Sequence, residues 1–103
     1  MSKNKNDKRI DFLRKCHRAL IDPVQFLADD HKHIAYLFRD LEEDISEVQE
    51  SEDKQAKINL ATSLAILNLR ADSALESAKA IKKITGVMEN TIVQMGGLGD
   101  EQE

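Results

Sequence analysis

The sequence predicts an all-α fold: a helical hairpin with heptad packing. Three observations predict it. Helix breakers are scarce, apolar residues recur at steps of three and four, and 103 residues are enough for one domain at most. Only Pro23 and Gly86 interrupt the residues before Gly96, because the remaining glycines lie at positions 96, 97 and 99. Such a scarcity of glycine and proline argues against a β-rich fold.

The first helix is predicted over about 8–21, after a basic, disordered leader at 1–7. Its apolar positions are spaced by three and four residues, at Ile10, Leu13, Cys16 or His17, and Leu20. Asp22 can then accept hydrogen bonds from free amides at a helix start, and Pro23 suits the first helical position. A second helix is therefore predicted from Pro23 to about residue 50.

The second helix carries an unbroken heptad stripe. Its members are Val24, Leu27, His31, Ile34, Phe38, Leu41, Ile45 and Val48. A strict 3.5-residue repeat implies left-handed packing against another long helix, within the chain or between copies. We interpret His31 as the polar residue that fixes register or oligomer state, and we expect its protonation to loosen the assembly.

A third helix is predicted over 54–85, with Ser51 or Asp53 as its cap. Its own heptad stripe is Leu60, Leu64, Leu67, Ala71, Ala74, Ala78 and Ile81. The alanine half is expected to let another helix approach closely or to accept bulky residues such as Phe26 and Phe38. Two matched stripes joined by a short turn indicate an antiparallel αα-hairpin, which we expect to assemble into a helical oligomer.

The sequence around Gly86 allows two endings. Lys82 and Lys83 before Gly86 are typical of a helix C-terminus, yet the apolar stripe continues to Met95. Either a short fourth helix follows at about 87–95, or one long helix runs through Gly86. Residues 96–103 are predicted to form a flexible acidic tail.

Charge is distributed in blocks, although the formal net charge is only −4. Residues 1–18 are basic, 39–53 are strongly acidic, and 54–86 are basic again. We predict that the basic N-terminal segment contacts DNA phosphates. The residues assigned to that contact are Lys3, Lys5, Lys8, Arg9, Arg14, Lys15 and Arg18. The alternative is a protein-interaction module, an inhibitor, chaperone or regulator, which uses the acidic strip from Asp40 to Asp53 on a basic protein partner.

No residue pattern predicts catalysis, a cofactor or a metal site, so the protein is predicted not to be an enzyme. Asp29, Asp30, His31 and His33 are of metal-ligand type, but two ligands on one helix do not close a site. The Asp30-His31 pair resembles the first helix of hemerythrin-like domains, which supply further histidines from later helices, whereas no histidine follows His33. The lone Cys16, the absence of a signal pattern and the lack of a long apolar run predict a cytoplasmic protein without membrane contact.

A family resemblance adds a functional expectation. The order Asp22-Pro23-Val24-Gln25-Phe26-Leu27, an acidic helix, and then Lys57-Ile58-Asn59-Leu60-Ala61 resembles the helical region of some phage terminase small subunits. Those proteins are non-enzymatic oligomers that recognise viral DNA and deliver it to the packaging motor. The resemblance implies a homo-oligomeric DNA-packaging adaptor in the host cytoplasm, and it assigns no individual binding residue.

Overall fold

The computed structural model describes residues 5–51 and 53–96, with the side chains of 6–51 and 53–96. Three helices account for nearly all of them: α1 (Lys5–Ala19), α2 (Ile21–Ser51) and α3 (Lys54–Gln94). No strand occurs in this part of the chain. The predicted all-α class and the helical hairpin are confirmed.

Helices α1 and α2 follow each other with only Leu20 between them. The Leu20 amide donates to the carbonyl oxygens of Cys16 at 3.1 Å and His17 at 3.2 Å, and the Val24 amide donates to Leu20 at 3.0 Å. These bonds continue the helical hydrogen-bond pattern across the α1–α2 junction. Helix α1 begins at Lys5, so 5–7 of the predicted leader are helical, and residues 1–4 lie outside the described part. Helix α2 begins two residues before Pro23.

Helix α3 runs unbroken through Gly86, so of the two endings that the sequence allows, the single long helix occurs and the separate helix over 87–95 does not. Of the two caps considered, Asp53 caps its start, because the Asp53 carboxylate accepts a 2.7 Å hydrogen bond from the Ala56 amide. A helical glycine costs about 1 kcal/mol relative to alanine, and packing of the flanking apolar residues offsets it. Helix α3 ends at Gln94, and Gly96, two residues later, has a φ of 76° that glycine tolerates best. The predicted tail beyond Gly96 lies outside the described residues.

The molecule is a long rod. Its principal extents are 74 × 28 × 15 Å, and its radius of gyration is 22.4 Å, against about 13 Å for a compact domain of this size. Helix α2 packs along α3 from the turn onward, with Asp30 opposite Arg70, and α1 packs along the C-terminal part of α3, with Arg9 opposite Gln94. The α2–α3 turn therefore forms one end of the rod. The start of α1 and the end of α3 form the other, where the Arg9 guanidinium donates to the Gln94 carbonyl at 2.7 Å.

The helices meet along one continuous heptad seam, which we call the inner seam. Every member is buried or half-buried, and spacings of three and four run without interruption through the α1–α2 junction. On α1 and α2 the inner seam is Arg9, Leu13, Cys16, Leu20, Pro23, Leu27, Asp30, Ile34, Leu37, Leu41, Asp44 and Val48. On α3 it is Ala56, Leu60, Ser63, Leu67, Arg70, Ala74, Ser77, Ile81, Ile84, Met88, Thr91 and Met95. Cys16 is buried in the seam, as its apolar spacing predicted.

Candidate functional site

Two polar pairs connect α2 with α3 across the inner seam. The Arg70 guanidinium donates to the Asp30 carboxylate at 3.1 Å, and the Ser63 hydroxyl donates to the Asp44 carboxylate at 2.6 Å. Asp30 and Asp44 are two heptads apart on α2, and Ser63 and Arg70 are one heptad apart on α3. A shift of three or four residues would place each carboxylate opposite leucine or alanine, so these pairs disfavour such shifts.

Asp30 is the most deeply placed charge of the hairpin, with 2% of its surface exposed. The Ser73 hydroxyl and the Arg70 guanidinium hold the pKa of Asp30 below its ordinary value of 3.8, against the opposing effect of burial. The carboxylate is therefore ionised at neutral pH and paired inside the seam.

Of the neighbours Asp30 and His31, Asp30 is therefore the one that lies in the intrachain seam. His31 is exposed on the single chain. The other residues of metal-ligand type make contacts within the chain. The Asp30 carboxylate binds Arg70, and Nδ1 of His33 lies 2.8 Å from the Asp29 carbonyl oxygen. The loosening of an assembly by His31 protonation stays a prediction.

Half of each predicted stripe lies outside the inner seam. Leu27, Ile34, Leu41 and Val48 pack against α3, as do Leu60, Leu67, Ala74 and Ile81 against the facing helices. The other half is exposed, and we call it the outer strip: Val24, His31, Phe38 and Ile45 on α2, with Leu64, Ala71 and Ala78 on α3. The expectation that alanines of α3 bury Phe26 and Phe38 is wrong, because these side chains are 61% and 71% exposed.

Both halves of the outer strip lie on the same side of the hairpin. Each member directly follows a seam residue, as Phe38 follows Leu37 and Ala71 follows Arg70. One step along a right-handed helix turns about 100°. Because α3 faces α2 and runs the opposite way, that same turn moves both helices off the seam to one common side. A groove of about 520 Å³ lies on the α2 half of this side, lined by Phe38, Arg39, Leu41, Glu42 and Ile45.

The predicted DNA-contacting residues divide into two groups. Lys8, Arg14, Lys15 and Arg18 are exposed on the side of α1 that faces away from the inner seam, and we call them the basic face. Arg9 is turned instead toward α3, where it satisfies a carbonyl at the helix end. Lys3 lies outside the described residues, as does the side chain of Lys5.

The two ends of the rod carry opposite charge. The turn end holds exposed acidic side chains at Asp40, Glu42, Glu43, Glu47 and Glu50. The opposite end holds the basic face, and a second basic group lies on the neighbouring part of α3, at Lys79, Lys82 and Lys83. The acidic strip and the basic segment of the sequence are thus separated along most of the rod.

Comparison with known proteins gives no assignment. No protein-family model, curated protein or solved structure matches the chain. The resemblance to phage terminase small subunits stays a prediction. Within residues 5–51 and 53–96, no helix is long and apolar enough to cross a membrane, and no three His, Cys, Asp or Glu side chains are grouped to hold a metal ion.

Proposed function

We propose that the protein is a non-enzymatic helical adaptor that works as an assembly of its own copies. The outer strip is the observation that carries this proposal. It places Phe38, Val24, Ile45 and Leu64 on one side of the hairpin, with 71%, 48%, 50% and 49% of their surfaces exposed. Contiguous apolar surface of this kind marks an interaction site in a soluble protein.

The thin core supports the same proposal. Among the described residues no side chain is fully buried, and the only buried apolar residues are Cys16 and Ala56. A two-layer hairpin buries each helix on one side only, whereas four helices bury two sides of each. Burial of one large apolar side chain contributes about 1.5–3 kcal/mol. Association therefore supplies stability that the single hairpin lacks.

The test compares Phe38→Asp with Leu69→Asp. Both residues are large, apolar and highly exposed, but Leu69 lies on the outer side of α3, away from the strip. Phe38→Asp removes about 1.5–3 kcal/mol of burial per copy, so the dissociation constant is expected to rise about tenfold or more. Sedimentation over a range of concentrations measures this. A wild-type chain that is monomeric at all of them would overturn the proposal, as would equal weakening by both variants.

A second function, contact with DNA, is favoured by the basic face. Lys8, Arg14, Lys15 and Arg18 cluster on one exposed side of a single helix, where their charges can face a phosphate backbone together. The assembly repeats this face once per copy, so weak contacts add up. Delivery of DNA in viral packaging, the role of terminase small subunits, is one function that this combination supports.

For this function we expect Lys8→Gln/Lys15→Gln to weaken DNA binding and to reduce the slope of log K against log salt by about 1.8, since each phosphate contact contributes about 0.9. Lys54→Gln/Lys57→Gln is the control, because it removes the same charge from the turn end. A gel-shift titration over salt concentration measures both. If the wild-type chain binds no DNA at low salt, the DNA function fails while self-assembly stands.

A further inference from the structure

We infer that the outer strip binds the outer strip of a second copy with the two hairpins antiparallel, so that the acidic turn end of each lies beside the basic α3 group of the other. This inference rests on the proposed self-assembly and adds its orientation. The occupant of the strip is a second copy because the acidic and basic groups of the hairpin complement each other when one copy is turned end for end.

The side chains of the outer strip differ in size between its two helices. The outer strip pairs bulky residues on α2, such as Phe38 and Ile45, with small residues on α3, Ala71 and Ala78. A two-fold axis at right angles to the rod lays α2 on the partner's α2 and α3 on the partner's α3, so Val24 faces the partner's Ile45 and the two alanine halves can approach closely. The groove lined by Phe38, Leu41, Glu42 and Ile45 gives space for an entering side chain.

The area of the outer strip is sufficient for a dimer interface. From Val24 to Ile45 the strip spans 21 helical steps, or about 30 Å at a rise of roughly 1.5 Å per residue. Two helices, each about 10 Å wide with their side chains, give roughly 600 Å² per copy. The total of about 1,200 Å² is at the lower limit of specific, stable interfaces. Contiguous surface beyond the strip, including exposed Ile21 and Leu75, can extend it.

The charges along the rod decide how the two hairpins are oriented in the dimer. A parallel pair would bring the acidic turn ends of both copies together, with Glu42 beside the partner's Glu42, and likewise both basic ends. An antiparallel pair centred between His31 and Phe38 places the turn end at the level of the partner's Lys79, Lys82 and Lys83. Opposite charges attract and like charges repel across such distances, so the antiparallel orientation is the stable one.

This arrangement also leaves the basic face uncovered. With the axis between His31 and Phe38, the turn end of one copy reaches about the level of residue 17 of its partner. Lys8, Arg14 and Lys15 therefore project past the partner's end, one group at each end of the dimer. Self-association and contact with phosphates use different surfaces.

The experiment is site-directed cross-linking in a Cys16→Ala background, where every thiol is an introduced one. The antiparallel axis pairs position 24 of one copy with position 45 of the other. Val24→Cys and Ile45→Cys chains, mixed and treated with a short bis-maleimide, are expected to give the mixed product, and neither chain alone gives a self-linked product. Lys32→Cys, which lies on the side of α2 that faces away from the inner seam, is the control and is expected to give no dimer.

Each other outcome is informative. Self-linked products from Val24→Cys and from Ile45→Cys, without the mixed product, would mean parallel hairpins and would overturn the inference while self-assembly stands. A dimer by mass that cross-links only through Lys32→Cys would overturn the outer strip as its interface. A monomeric mass would overturn the proposed self-assembly itself. Added salt is expected to weaken the antiparallel dimer, because screening reduces the attraction between its ends.

Discussion

Arg70→Met is expected to lower the melting temperature of the hairpin sharply. Asp30 is 2% exposed, and Arg70 is its cationic partner at 3.1 Å. Removal of Arg70 leaves a buried carboxylate without a countercharge, and such a loss destabilises far more than the loss of a surface pair. Thermal unfolding followed by circular dichroism measures the effect.

Two further variants separate the pair from the single charge. Asp30→Leu/Arg70→Met is expected to recover most of the lost stability, because replacing both members by apolar residues removes the unpaired charge. Lys79→Met breaks an exposed pair with Glu76 at 3.7 Å and is expected to leave the melting temperature nearly unchanged. Equal effects of Arg70→Met and Lys79→Met would contradict the assigned role of Asp30.

The same pair predicts a pH dependence. The pKa of Asp30 is lower in the folded chain than its ordinary value of 3.8, with the Ser73 hydroxyl as the largest cause and Arg70 as the next favourable one. The unfolded chain therefore takes up this proton more readily. The stabilising contribution is complete above pH 3.8 and is lost as pH falls through the folded pKa. The difference between wild-type and Asp30→Asn unfolding curves from pH 6 to 2 is expected to shrink as the pH falls.

The heptad pattern predicted the helices well but assigned the seam one position off in half of the cases. Hydropathy selects Val24, His31, Phe38 and Ile45, because they are on average more apolar than their neighbours. The folded chain buries the preceding position each time, which includes Asp30 and Asp44. A carboxylate is acceptable there because Arg70 and Ser63 on the other helix pair with it, and one stripe read alone does not reveal such a partner.

A signal for the seam does exist in the sequence when both stripes are read together. Asp30 and Asp44 repeat at two heptads, while Ser63, Arg70 and Ser77 repeat at one heptad. Polar residues in phase on two facing helices indicate pairing rather than exposure. The continuous α3 was one of two endings that the sequence left open, because Gly86 and the lysines before it signal an end while the apolar stripe runs on to Met95, and packing against α1 favours the continuous helix.

The two halves of the alanine face can be separated by Ala74→Phe and Ala71→Phe. Ala74 lies in the inner seam and is half-buried, whereas Ala71, three residues earlier, lies in the exposed outer strip. Overpacking a filled seam costs about 1–3 kcal/mol, and each kcal/mol lowers the melting temperature of a domain of this size by about 4–8 °C. Ala74→Phe is therefore expected to destabilise the single hairpin, and Ala71→Phe is not.

The comparison is made in the Phe38→Asp background, because that change weakens association and leaves the unfolding of one hairpin to be measured. In the assembling chain the order of effects differs: Ala71→Phe then enlarges the small half of the outer strip and raises the dissociation constant, since the partner's α3 can no longer approach closely. Comparable destabilisation by both substitutions in the Phe38→Asp background would place Ala71 inside the hairpin and remove the outer strip as a free surface. A loss confined to Ala74→Phe, with Ala71→Phe acting only on association, is the result that one buried seam and one intermolecular strip require.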